Sequence, residues 1–303
     1  MKENNKTISS TIATSDTADK KPVIVIDAPA ESAGKKRSAG ASSQMQLLGL
    51  AKKFVLDGGL VSAEKQIPIE ERTHKRARIG ALRKQQNLEI IIQKSLGYCS
   101  SSEITDKADP DWFNTFTQLA EDVSNKTMQD LWAKILAGEI TQPGSFSTKT
   151  LKIFREMSIT DAKLLAKACS LTVSDNAKRN IRIISGAYQM PSLFNFFNKR
   201  REQSITLSQF SLSYADLLVL ADNHLVFVQE TESSPMDKLE AFHFTFDGSP
   251  LTLSAKKANC VLQFYKFTPI GSELARLISD NGDSDYLQHL KSALSENFSI
   301  IEG

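Results

Sequence analysis

The chain has 303 residues, 41% hydrophobic and 24% charged, with a formal net charge of +2 at neutral pH. That is enough chain for two domains plus a tail and enough apolar residue for a sizeable core, while the near-balanced charge names no partner by itself. Cys99, Cys169 and Cys260 are odd in number and have no Cys-x-x-Cys spacing, which fits buried thiols in a reducing cytoplasm rather than a disulfide frame or a cysteine zinc site.

Residues 1–43 are rich in Ser, Thr, Ala, Lys and Asp, and read as a disordered tail. Its one apolar patch, PVIVIDAP at 22–29, is too short to build a core and is either a bland patch or a strand for a partner's sheet edge. Between Ser43 and Gly58, the residues Met45, Leu47, Leu48, Leu50, Ala51, Phe54 and Val55 suggest a short amphipathic helix, packed on the domain behind it or lying on a membrane surface.

From Glu70 to Leu96 the pattern predicts a long helix. At about 100° per residue, Ala77, Ala81, Leu88, Ile91, Ile92 and Leu96 gather on one side, and Arg72, Lys75, Arg76, Arg83 and Lys94 on the other. Arg72 to Lys84 contains six lysines and arginines and no acidic residue. This stripe, with Arg72, Lys75, Arg76, Arg83, Lys84 and Lys94 as its candidate residues, has two readings. It tracks phosphates or another partner, or it is a solvated face pairing with Asp111, Glu121, Asp122 and Asp130 downstream. No aromatic residue interleaves the cations, so base stacking gains no support. If Ala77, Ala81 and Leu88 find too little surface in their own chain, the helix becomes an oligomer interface.

Asp111 to Ala168 predicts four short helices. Asp109-Pro110 caps the first, whose buried side carries Trp112, Phe113, Phe116, Leu119, Ala120 and Val123. Ser124 caps the second, with Met128, Leu131, Trp132, Ile135 and Leu136 inward and Gly138 as its end. Pro143-Gly144 forces a turn, a third helix buries Leu151, Phe154 and Met157, and the Ser158-x-x-Asp161 box opens a fourth. The runs LWAKILAGE (131–139), PGSFS (143–147) and TLKIF…MSITDAKLL resemble an uncharacterised bacterial family known only as a domain of unknown function, closely over about 70–170 and more loosely in the last third. The helical pattern with its Asp-Ala cap is similar to the alpha-type abortive-infection proteins of phage defence. Neither resemblance implies a catalytic residue.

After Ala168 the class changes. Arg182–Ile184 reads as a brief strand broken at Tyr188 to Pro191, and SLFNFFNKRRE (192–202) sets four apolar residues beside a basic cluster. Ser213 and Asp216 box a helix, HLVFVQET (224–231) alternates like a strand, and KLEAFHFTF, Asp247-Gly248 and PLTLS make a hairpin. NCVLQFYKF is a further strand, Thr268-Pro269 caps a helix, and a helix over 283–295 and a strand at FSII close the chain. The run FTPIGSELARLI resembles a stretch of bacterial winged-helix domains.

The expected architecture is mainly α, with a disordered tail (1–43), an all-α domain with the long basic helix (44–170) and a winged-helix-like α+β domain (171–303). No phosphate-binding glycine loop or nucleophile elbow occurs, and His74, His224, His243 and His289 never fall at metal-ligand spacing. His224, His243 and Cys260 could meet only across strands of a sheet. No catalytic residue, cofactor or metal is assigned. With no apolar run near the roughly 20 residues of a membrane span and no signal-like start, the reading is a cytoplasmic, non-catalytic interaction or regulatory protein. Its partner is another protein or a second copy. The alternative is a nucleic-acid binder using Arg72–Lys84 and the C-terminal lobe.

Overall fold

A computed structural model describes residues 42–99, 107–175, 180–191, 202–278 and 281–303. Residues 1–41 of the tail with its 22–29 patch, and all but the last residue of the aromatic-basic run at 192–202, lie outside the described residues. The chain divides into two units, Met1–Lys53 and Phe54–Gly303. In the first, helix α1 (Ser43–Lys53) stops short of the expected Gly58 and buries none of its residues. The remaining elements belong to the second unit.

The middle of the chain is helical because its apolar residues recur at helical spacing and its caps are in place. Helix α2 spans Ile69–Leu96, α3 Pro110–Ala120, α4 Lys126–Thr141, α5 Thr148–Glu156 and α6 Ile159–Cys169. The Asp109 carboxylate accepts from the N–H of Asp111 with Pro110 at the first helical position, and Ser158 and Asp161 satisfy each other's backbone N–H groups at the start of α6. Trp132 is fully buried at the centre, its ring 5.3 Å from those of both Phe116 and Phe154.

Two expectations fail here. The cap of α4 is Asn125, whose side chain accepts from the N–H groups of Thr127 and Met128, while the Ser124 hydroxyl accepts from the Asn87 amide. Nor does Gly138 end α4. The helix runs on to Thr141, so that Glu139, itself buried, aims its carboxylate at the Pro143-Gly144 turn and accepts from the N–H of Gly144 at 2.7 Å and of Phe146 at 2.9 Å. Gly138 serves packing: a Cβ there would meet the Phe146 ring at 2.9 Å. The Trp112 indole N–H donates to the Phe146 carbonyl, so the turn is held from two helices.

The last third is an antiparallel sheet with helices against it. Its strands are β1 (Val173–Ser174), β2 (Ile181–Gln189), β3 (Gln203–Ser204), β4 (Thr231–Glu232), β5 (Ala241–Phe246), β6 (Ser249–Ala255), β7 (Cys260–Lys266) and β8 (Phe298–Glu302). They run in the order β4-β7-β2-β1-β5-β6-β8, with β3 beside β2. Helices α7 (Tyr214–Asp222), α8 (Pro269–Ala275) and α9 (Ser284–Ala293) complete the lobe. The β5–β6 hairpin turns on Asp247 (φ 49°) and Gly248 (φ 75°), the left-handed pair that matches strand twist. The helical and strand-rich segments share one core, with Leu171 and Val173 fully buried where they join.

Three strand expectations need correction. The brief strand at Arg182–Ile184 is the nine-residue β2, and Tyr188 and Gln189 continue it rather than break it, because β7 pairs with β2 along its length. The 224–231 segment is not a strand. His224 takes a left-handed φ of 58°, and the Leu225 carbonyl accepts from the N–H of Thr268, tying the segment to the start of α8. Only an isolated bridge (Val226 to Phe267) and the tip at β4 remain of it. Gly271 makes that approach possible, since a Cβ there would stand 1.9 Å from the Leu225 oxygen.

β1 joins the two parts of the sheet, and its ladder to β5 holds one register pair among the described residues, Ser174 with Thr245. Arg182 on β2 reinforces the joint, its guanidinium 5.2 Å from the Phe244 ring of β5 and 4.8 Å from the Phe264 ring of β7. Burial pulls its pKa below the ordinary arginine value, and the charge of Asp175 opposes the shift. Arg182→Ala should lower stability by about 1–3 kcal/mol, the sum of two partly desolvated cation–π contacts. A urea midpoint unchanged from the parent would show that the rings hold the joint without it.

Candidate functional site

A helix of 28 residues is roughly 42 Å long at about 1.5 Å per residue, and α2 spends its two halves differently. The second half is anchored. Asn87, Ile91 and Ser95 are its buried residues and face α4, with Leu88 packed beside them. The Asn87 amide donates to the Glu121 carbonyl at 2.8 Å, and its oxygen accepts from Gln129. Ile92 and Leu96, expected on the packed side, are exposed. The packing surface is centred on Asn87 and Ile91, nearer the cations than the apolar count alone suggested.

The six stripe residues therefore divide. Lys84 makes ion pairs with Glu121 and, at 3.6 Å, Asp122; Arg83 lies 3.8 Å from Asp122; Lys94 lies 3.0 Å from Asp130. Arg83 also stands 4.9 Å over the Phe54 ring. The hydrogen bond to Glu121, with the charges of Asp122 and Glu121, raises the Lys84 pKa above its ordinary value against the opposing effect of burial. Asp130 receives Lys94 and the Tyr98 hydroxyl. Burial alone would raise its carboxyl, but those two hydrogen bonds and the charges of Lys94 and Lys134 hold it below its ordinary value. Three of the four acidic positions considered from the sequence take up these pairs, and Asp111 instead sits in the first turn of α3.

The other three lie in the first half. Arg72 is half-buried, its guanidinium against the backbone of Gly58 and its Nε without a hydrogen-bond partner. Lys75 and Arg76 are exposed. Arg78, which the sequence reading counted in the stripe without singling out, is exposed beside them. None of Lys75, Arg76 and Arg78 makes an ion pair among the described residues. From Glu70 to Leu82, every residue but Arg72 and Gly80 is exposed, including Ala77 and Ala81 of the expected apolar side, Ile79 and Leu82. Roughly three and a half turns of helix thus present cations and aliphatic side chains together, with Glu70 and Glu71 at the N-terminal end where they suit the helix dipole.

The sheet lobe brings other chemistry-bearing residues to different places. His224 lies in a turn, His243 on β5 shares a hydrogen bond with Thr252, and Cys260 is buried on β7, which β2 and β1 separate from β5. Among the described residues no group of three His, Cys, Asp or Glu side chains could hold a metal ion. A cavity of about 50 Å³ beside Cys169, Asp247 and Arg276 has room for no more than a few water molecules. A larger cleft of about 230 Å³ opens between β2, β7 and the start of α7, lined by Ser185, Thr206, Tyr214, Glu230 and Tyr265 among others. Sequence reasoning missed it, since its residues come from four separate segments and carry no motif.

No helix among the described residues is long and apolar enough to cross a membrane. Residues 71–291 match a protein family described as "Protein of unknown function (DUF2806)". No curated protein and no solved structure matches the chain.

Proposed function

We propose, for a chain that belongs to the DUF2806 family, a non-catalytic interaction or regulatory role in the cytoplasm, exercised through the first half of α2. The observation that carries this reading is the exposure of Glu70–Leu82 on a helix whose other half is firmly packed. An isolated helix of this length is marginal in water, and the packed half supplies the nucleus that keeps the exposed half formed. The arm is preorganised for a partner, which lowers the ordering cost of binding.

Charge selects the occupant. A second copy laid antiparallel about Ala77 would bring Arg76 of each copy against Arg78 of its mate, cation against cation on both sides of the crossing. Nucleic acid gains little, because Arg83, Lys84 and Lys94 are already paired and three exposed cations remain, against the roughly 6–10 phosphate contacts of a tight binder. A protein helix with acidic and apolar residues on one face satisfies both Lys75, Arg76 and Arg78 and the exposed Ile79 and Leu82. The helical pattern similar to that of alpha-type abortive-infection proteins supports a stress or phage-defence setting.

The test titrates the purified chain with a synthetic acidic amphipathic helical peptide, generic duplex DNA and single-stranded RNA, across salt concentrations, with light scattering for mass. The peptide should bind, and the triple reversal Lys75→Glu, Arg76→Glu, Arg78→Glu should abolish binding and leave the melting curve in place, since these side chains hold no ion pair among the described residues. Arg72 and Arg83 are left alone because each packs within the fold. Binding of nucleic acid with a steep salt slope that the reversal removes would install the nucleic-acid reading instead. Failure to bind any of the three would sink the arm as a docking element.

A further inference from the structure

β2 and β7 pair in register from Arg182 to Ile184 and again from Gly186 to Gln189, and the shift between them leaves Ser185 as a β-bulge. A bulge bends its strand and re-aims a side chain, and is common beside binding sites. β3 approaches this point closely. The Ser185 carbonyl accepts from the N–H of Ile205, and Gly186 admits the β3 backbone, since a Cβ there would lie 2.6 Å from the Gln203 carbonyl oxygen. Ser185 is 6% exposed and its Oγ has no hydrogen-bond partner. A buried hydroxyl left unpaired costs free energy relative to its place in water. Nothing in the packing of this sheet requires a hydroxyl there.

Ser185 lines the 230 Å³ cleft. The buried side of the cleft is otherwise aliphatic, with Ile205, Leu207, Leu212 and Leu217. Its outer part carries the hydroxyls of Ser204, Thr206, Ser208, Tyr214 and Tyr265 and the carboxylate of Glu230. No Lys, Arg or His is among the described lining residues, so an anion finds no counter-charge there. An ammonium ligand would engage Glu230 and leave the hydroxyls idle. A molecule with several hydroxyls of its own can donate to Glu230, exchange hydrogen bonds with the outer hydroxyls and reach Ser185. The volume is below the roughly 300–1,000 Å³ of drug-sized pockets, which limits the ligand to a small one.

We propose that the cleft at the Ser185 bulge binds a small uncharged polyhydroxylated molecule, a monosaccharide or polyol, with the Ser185 and Tyr265 hydroxyls and the Glu230 carboxylate as its recognition groups. The site is separate from α2 and stands or falls independently of the partner reading. Binding to it gives a protein of this kind a small-molecule input.

The test uses the full chain and a panel of glucose, ribose, mannitol and glycerol at millimolar concentrations, read by ligand-observed saturation-transfer NMR, with choline and acetate as charged comparisons. At least one neutral polyol should bind saturably. Ser185→Ala and Tyr265→Phe should each weaken it about tenfold, while Ser185→Ala leaves the melting temperature unchanged or higher, because it removes an unpaired buried hydroxyl. A fall in melting temperature on Ser185→Ala would instead mark the hydroxyl as structural and overturn the assignment. So would the absence of saturable binding by every polyol, binding that both variants retain in full, or a preference for choline or acetate.

Discussion

Replacing Trp132 by alanine is expected to lower folding stability by about 3–5 kcal/mol, the range for truncating a large buried aromatic. Trp132 has no exposed surface and sits between Phe116 of α3 and Phe154 of α5, so its loss opens a cavity at the meeting point of three helices. The neighbours are themselves braced, Phe116 by Trp112 at 5.3 Å, and cannot close the gap without moving a helix. Trp132→Phe separates shape from polarity. The indole N–H of Trp132 has no hydrogen-bond partner, so phenylalanine gives up volume but no bond and should cost much less than alanine. Thermal and urea melts of both variants measure the difference. An alanine variant that melts with the parent would mean the helical layer is not built around this residue.

Glu139→Ala should cost about 1–3 kcal/mol, because it strands the buried N–H of Phe146 as an unpaired donor, whereas the N–H of Gly144, on an exposed residue, can turn to water. The damage reaches further than the turn. Ser147, which caps α5, donates its own N–H to the Glu273 carboxylate of α8, and the Trp112 indole N–H donates to the Phe146 carbonyl. A loosened turn therefore detaches the helical layer from the sheet lobe at this corner. Glu139→Gln keeps one acceptor oxygen and should fall between parent and alanine. Tryptophan fluorescence reports the corner directly through Trp112, alongside the melting temperature. Equal stability for all three side chains would show that water can replace the carboxylate at this site.

The parts of the fold that could be read from the sequence are those whose cause is local. Ser158 with Asp161, Ser213 with Asp216, Thr268 with Pro269 and the Asp247-Gly248 turn each satisfy backbone groups within a few residues, and each lies where its spacing placed it. What was not legible depended on distant partners. Gly138 looked like a helix end because nothing near it in sequence announces that Phe146 needs the space, and 224–231 alternates like a strand although α8 claims its carbonyl. The same distinction divides the candidate site. The cation run on α2 is a local pattern, whereas which cations are neutralised depends on where Glu121, Asp122 and Asp130 arrive from α4 and the end of α3. The hydroxyl cleft is entirely a product of long-range pairing and had no local signal to read.

The pairing of β2 with β7 also sets a timetable. β2 is made early in the lobe, yet the strand that covers its longer flank emerges only after α7 and the whole β5–β6 hairpin. The hairpin can close on itself as soon as it is synthesised, within microseconds, while Ile181, Ile183 and Ile184 wait with backbone donors and acceptors open on a sticky strand. A ribosome pausing before Lys266 would hold the chain in that state for seconds. The vulnerability of this protein to aggregation is thus concentrated in its own birth, and chaperone cover during synthesis should improve its yield more than any change to the finished surface.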